Sequence, residues 1–157
     1  MEQIKYYTGI LFGAGLLPFA PGTWGSLFTL PFIYLVAFYF HNAGVIALVL
    51  ITIFLSLWSA PAAVRKHGED PGCFVMDESA GQTVTFLFVP FHYQWHTDIW
   101  ILLGGFLLFR VFDIFKPFGI RVLEKISGKF GILSDDLLAG VYALICLQVI
   151  LYLINVL

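Results

Sequence analysis

The chain has 157 residues, of which 60% are hydrophobic, 18% aromatic and 11% charged, with a mean hydropathy of +0.92 and a formal net charge of −2. So few charges do not cover the surface of a soluble domain of this length, which argues for one membrane-embedded domain over residues 1–157. No basic stretch is long enough to neutralise a phosphate backbone, so a nucleic-acid partner is excluded too.

The N-terminus carries Glu2 and Lys5 before an apolar stretch without a small-residue cleavage site, and no removable signal peptide is expected. Residues 4–17 are too few and too rich in glycine to cross a bilayer, and read as a short interfacial or re-entrant helix. Apolar segments follow at 26–40, 43–64, 77–95, 99–115 and 137–157. At 1.5 Å per residue the second and the last reach roughly 30 Å, a full hydrocarbon core. The third contains Pro90 and spans only where its helix continues past that residue to Trp95. The expected fold is an all-α integral membrane protein of about five transmembrane helices plus the short N-terminal one.

With the N-terminus inside, this arrangement puts all eight Lys and Arg residues at or near the cytoplasmic ends: Lys5, Arg65, Lys66, Arg110, Lys116, Arg121, Lys125 and Lys129. The opposite connections, HNAG and HYQWHTD, carry none, as the positive-inside rule requires. Trp95 and Trp100 suit an outer interfacial belt. Asp70, Asp77, Glu78, Asp113, Asp135 and Asp136 gather on the inner side as well, and Asp98 lies outside. Acids and cations sharing one face beside the headgroups form a place for a charged lipid.

Four stretches build that place. GAGLLPFAPGTWGSL (13–27) joins a Gly/Pro loop to a helix start at Thr23 or Ser26, which serves either as an anion seat or as an ordinary N-cap. EDPGCFVMDESAGQ (69–82) holds four carboxylates, and its Asp77 and Glu78 open a helix; complementing the dipole accounts for one acid and not for an adjacent pair. In FRVFDIFKPFGIR (109–121), Arg110, Asp113 and Lys116 follow one another along a helix face. The cations can snorkel, whereas Asp113 is too short to do so; it either pairs with Arg110 or ligates a metal between phosphate-binding cations. Ser134, Asp135 and Asp136 open the last helix, where one of them caps it. The remaining acids repel one another unless a cation intervenes, and hard oxygen ligands of this kind suit Mg²⁺ with substrate phosphate as a further ligand.

Other phosphatase chemistries fail on spacing. Cys73 and Cys146 are isolated thiols, and six positions after them stand Ser79 and Tyr152 rather than the arginine a cysteine nucleophile needs. His41, His92 and His96 lie on the outer side, and His67 is a solvated loop histidine.

The four stretches resemble those of the phosphatidylglycerophosphatase A family: PGTWGS (21–26), DESAG (77–81), FRVFDIFKP (109–117) and GILSDDLLAG (131–140), in the family's order across nearly the whole chain. The departures, Gly119 for a frequent proline, Leu133 for a common methionine and a loose glycine-rich approach at GKFG, spare every candidate ligand. The resemblance implies a Mg²⁺-dependent phosphatase of a bacterial inner membrane, multi-pass, converting the anionic phospholipid phosphatidylglycerophosphate to phosphatidylglycerol at the cytoplasmic face. Asp77, Glu78, Asp113, Asp135 and Asp136 then serve as catalytic acids on one or two Mg²⁺ ions. Arg110, Lys116, Arg121 and Thr23 hold the phosphate. Attack by water and an aspartyl-phosphate route both remain open. The competing readings are a phosphoryl-group lipid transferase, which usually displays several aspartates along one helix, and a small transporter with a one-sided charged site. The apolar outer halves of the segments speak against a transport path.

Overall fold

The computed structural model describes all residues except 69–70, 118, 124–128 and 157, and leaves the side chains of 129, 155 and 156 undescribed. Glu69, Asp70 and Lys125 therefore lie outside the described residues, as does the side chain of Lys129. Among the described residues all regular structure is helical: α1 (Glu2–Gly9), a 3₁₀ segment (Leu11–Leu16), α2 (Pro21–His67), α3 (Met76–Val84), α4 (Trp95–Phe115), α5 (Ile120–Leu123) and α6 (Lys129–Val156).

The two segments expected at 26–40 and 43–64 belong to one 47-residue element, broken where His41 takes φ 53° and ψ −147°. The break reverses the chain. A Cβ placed on Gly44 would stand 2.8 Å from the carbonyl oxygen of Val36, eight residues back, which a continuing helix would leave about 12 Å away. α2 is thus a helical hairpin with a first arm before His41 and a second arm after it, and Gly44 permits the close return. His41 Nδ1 and the Tyr93 hydroxyl meet at 2.7 Å on this turn, tying it to the loop before α4.

Five spans are not found. Two helices among the described residues are long and apolar enough to cross a membrane: α2, and α6 over Phe130–Ile154. The segment expected at 77–95 is the clearest departure. Its helix ends at Val84 after nine residues, about 13 Å, and short turns with Phe88 and Tyr93 at positive φ lead past Pro90. α4 ends at Phe115 as expected but starts at Trp95, four residues before the expected 99, and it carries Asp98, Arg110 and Asp113. The last helix starts at Lys129 rather than near Asp135, so Ser134 is no cap. Its hydroxyl donates to the Phe130 carbonyl one turn back instead.

α3 packs against α2 and α6, and α4 against α6. The main core joins Leu30, Ile33, Ala37 and Val45 of α2 to Phe86, Ile101, Leu102 and Leu147. Small residues set the closest crossings. A Cβ on Gly81 would sit 2.5 Å from the Asp136 carbonyl oxygen, and one on Gly140 would overlap the Gly81 carbonyl, so α3 and α6 touch backbone to backbone. The outward faces of the long helices stay apolar: Phe54, Leu50, Leu107, Ile145 and Leu153 are all exposed.

Candidate functional site

Four helix ends meet at the end of the bundle opposite the His41 turn: the starts of α2, α3 and α6 and the finish of α4. Asp77 and Glu78 occupy the first turn of α3, and Asp136 the second turn of α6. One carboxylate oxygen from each of the three lies within 4.8 Å of the other two. The Gly81–Gly140 crossing brings them together, since it draws the acidic turn of α3 onto the acidic turn of α6.

Glycines of PGTWGS supply the third wall. Gly22, Gly25, Ser26 and Thr29 form a small-residue stripe with helical spacing along the first arm of α2. A Cβ on Gly22 would overlap the Glu78 carboxylate and stand 3.3 Å from Arg110 Nη1; one on Gly25 would stand 2.7 Å from Val75. Ser26 donates to the Gly22 carbonyl at 2.8 Å and Thr29 to Ser79 Oγ at 3.0 Å, so even the hydroxyls of the stripe are satisfied at short range. The motif is thus a packing face within α2 as well as the helix start expected to serve as an anion seat or an N-cap. Its spacing carried the signal for a packing face.

Asp113 and Asp135 stand beside the three acids, each with a cation. Arg110 Nη1 lies 2.6 Å from Asp113 Oδ2, so the ion pair weighed against ligation is the arrangement present. Lys116 Nζ donates to Asp135 Oδ2 at 2.6 Å. Lys116 is the left-handed cap of α4 (φ 46°, ψ 53°), a conformation uncommon for a side-chain-bearing residue, and its ion pair with Asp135 joins that bend to α6. Thr23 stands next to Gly22, but its backbone N–H is engaged with the Ala20 carbonyl at 2.9 Å. Arg121 is exposed and donates to the Phe115 carbonyl at 3.3 Å, at the end of α4.

Electrostatics follow from crowding. Burial raises the Asp77 carboxyl above the usual carboxylate range, helped by the charges of Glu78 and Asp136. Glu78 is pushed up to about 7, chiefly by burial; the hydrogen bond with Asp77 opposes this, Asp113 adds to it and Arg110 offsets part. Glu78 Oε2, Asp135 Oδ1 and Arg110 Nε are buried without a hydrogen-bond partner. A group of buried oxygens with unspent acceptors, next to a guanidinium with an unspent donor, fits a hard cation together with an oxyanion.

Asp98 went unread in the sequence beyond its placement at the outer end. It is fully buried there, accepting from the His92 backbone N–H at 2.9 Å and the Tyr34 hydroxyl at 3.3 Å. These bonds tie the start of α4 to the loop before it and to α2, and they explain an acid in an apolar region without a catalytic role.

Fold and site together describe a protein, all-helical among the described residues, whose acidic centre, flanked by Arg110 and Lys116, suits phosphoryl chemistry. The family described as Phosphatidylglycerophosphatase A matches residues 7–151, and the chain belongs to that family. It is 35% identical to phosphatidylglycerophosphatase A of Escherichia coli, covering 90% of this chain and 80% of that one. It is 36% identical to the protein of the same name in Haemophilus influenzae, covering 90% and 85%. A Bacteroides thetaiotaomicron protein with the provisional name phosphatidylinositol-3-phosphatase is 40% identical over 90% of this chain and 89% of its own. No solved structure matches. The chain is an enzyme, a phosphatase.

Proposed function

We propose that the chain is a Mg²⁺-dependent lipid phosphatase that hydrolyses phosphatidylglycerophosphate to phosphatidylglycerol and phosphate at the cytoplasmic face of a bacterial inner membrane. The observation that carries this reading is the meeting of Asp77, Glu78 and Asp136 within 4.8 Å, beside the Arg110–Asp113 and Lys116–Asp135 pairs. Asp77, Glu78 and Asp136 would hold Mg²⁺, with Asp113 and Asp135 next to them for a second ion or for its bound waters. The ion, when bound, polarises phosphoryl oxygens and lowers the pKa of a coordinated water. Arg110 and Lys116 take the phosphate by exchanging their carboxylate partners for its oxygens, Arg110 through two nitrogens and Lys116 as a point charge. Thr23, next to Gly22 at the start of α2, is a candidate for the same phosphate. Arg121 belongs to the approach rather than to the centre.

Three observations support the membrane setting: two helices of spanning length, apolar outward faces, and cations such as Arg110 and Lys116 at the end that holds the acids. The 40% relative favours a second substrate, a phosphoinositide monophosphate. Both substrates carry a phosphomonoester on a polyol headgroup, so the same centre serves either. Purified protein assayed with phosphatidylglycerophosphate and phosphatidylinositol 3-phosphate, with Mg²⁺ and with chelator, tests the reading. Phosphate release that needs Mg²⁺ and is lost in Asp136→Asn is expected, and metal-independent release would overturn it.

A further inference from the structure

We infer that Gln82 reads the substrate's headgroup by binding a hydroxyl of its polyol, an assignment that rests on the phosphatase reading above. Gln82 is fully buried, and neither its amide nitrogen nor its amide oxygen has a partner. Its polar neighbours on α3 and at the cap of that helix differ. The hydroxyls of Ser79, Thr83 and Thr85 donate to the carbonyls of Val75, Ser79 and Gly81 at 3.0, 2.7 and 3.2 Å. Burying an amide unpaired is costly, and an apolar residue of the same size would avoid the cost.

Placement gives the amide its task. Gln82 follows Glu78 by four residues on the same face of α3, about 6 Å along the axis. Helical side chains lean toward the N-terminus, so the amide leans back to Glu78 and away from the apolar core at Phe86. Glu78 and Arg110, both of which a Cβ on Gly22 would approach, keep buried atoms without partners. Charged groups at one end match a reacting phosphate. A neutral amide with two donors and an acceptor matches a neutral group that both donates and accepts, namely a hydroxyl. Along a lipid phosphate, the polyol is what comes next between the reacting phosphate and the acyl chains. α3 runs the same way, from the acidic turn toward the core.

The test compares purified wild type, Gln82→Met and Gln82→Leu on phosphatidylglycerophosphate, phosphatidylinositol 3-phosphate and phosphatidate, whose phosphate sits directly on diacylglycerol. Wild type should favour at least one polyol lipid over phosphatidate. Both variants should lower kcat/KM for that lipid by about tenfold or more, mainly through KM, because a site built for a hydroxyl loses its partner. Their phosphatidate rate should stay within about twofold of wild type, and their melting temperature should be unchanged or higher. Equal losses on all three lipids, or no loss on any, would overturn the assignment and leave Gln82 a packing residue. Wild type that releases phosphate from none of them would overturn the phosphatase reading, and this assignment with it.

Discussion

Five acids share the site, and the geometry divides them. Asp77, Glu78 and Asp136 face one another, whereas Asp113 and Asp135 already hold cations. Asp136→Asn should therefore reduce kcat by more than about a hundredfold, and Asp135→Asn, which leaves Lys116 less restrained, by about tenfold or less; side-by-side phosphate-release assays decide. Equal losses would mean that Asp135 ligates after all. Glu78 gives a pH signature. Its carboxyl is held up to about 7, so the protonated form dominates below that value and must lose its proton before it can ligate. Mg²⁺ affinity should consequently fall as pH drops through about 7, and raising Mg²⁺ should move the acid limb of the rate profile to lower pH. A limb that stays fixed across Mg²⁺ concentrations would show that metal and proton do not compete at Glu78. The metal-free protein should show the linked effect: Glu78 binds a proton in the folded state above its ordinary range of about 4.5, so stability falls as pH rises from there to about 7.

At the scale of elements, glycine contacts matter more than the caps suggested by the motifs. Gly81→Val places a branched side chain where a Cβ already stands 2.5 Å from the Asp136 carbonyl. Overpacking of this kind costs about 1–3 kcal/mol and here also pushes α6 off α3. A lowered melting temperature with lost Mg²⁺ binding is expected, whereas Gly104→Ala, where a Cβ meets nothing within 4 Å, should keep both. Most elements were legible. The hydrophobic runs located both arms of α2, α4 and α6, and the HNAG connection coincides with the break at His41. The third run failed because apolarity alone does not separate a spanning helix from a short buried one followed by turns. Phe86 and Phe91 are buried in the core, and their hydrophobicity comes from that core rather than from lipid. Ser134 failed for a related reason: a cap is recognised only when the helix start is known, and α6 begins five residues earlier.

For the whole molecule, the polar centre lies at one end and the His41–Tyr93 contact at the other. In a cysteine-free background, Asn42→Cys should react with a membrane-impermeant thiol reagent added to intact cells, and Lys66→Cys only after lysis; both positions are exposed. The reverse pattern would put the site on the wrong face for a cytoplasmic substrate. Two-sided labelling at one position would remove the fixed orientation.

Composition, the run of apolar segments and the one-sided charges come from the chain alone, because partition between lipid and water depends on side-chain chemistry summed over a segment. The four motifs likewise nominate the acids and cations by type and spacing. Which acids share a cation depends on distances between residues as far apart as Asp77 and Asp136, and those distances are set by how closely α3 and α6 approach through Gly81 and Gly140. Helix packing also decides that Lys116 holds the Asp135 carboxylate and that Gln82 keeps a buried amide unpaired, whereas the Arg110–Asp113 pair lies within α4 and follows from its spacing. Local spacing specifies neighbours within a helix; contacts between helices depend on the shape of both surfaces, and these come into register only in the folded chain.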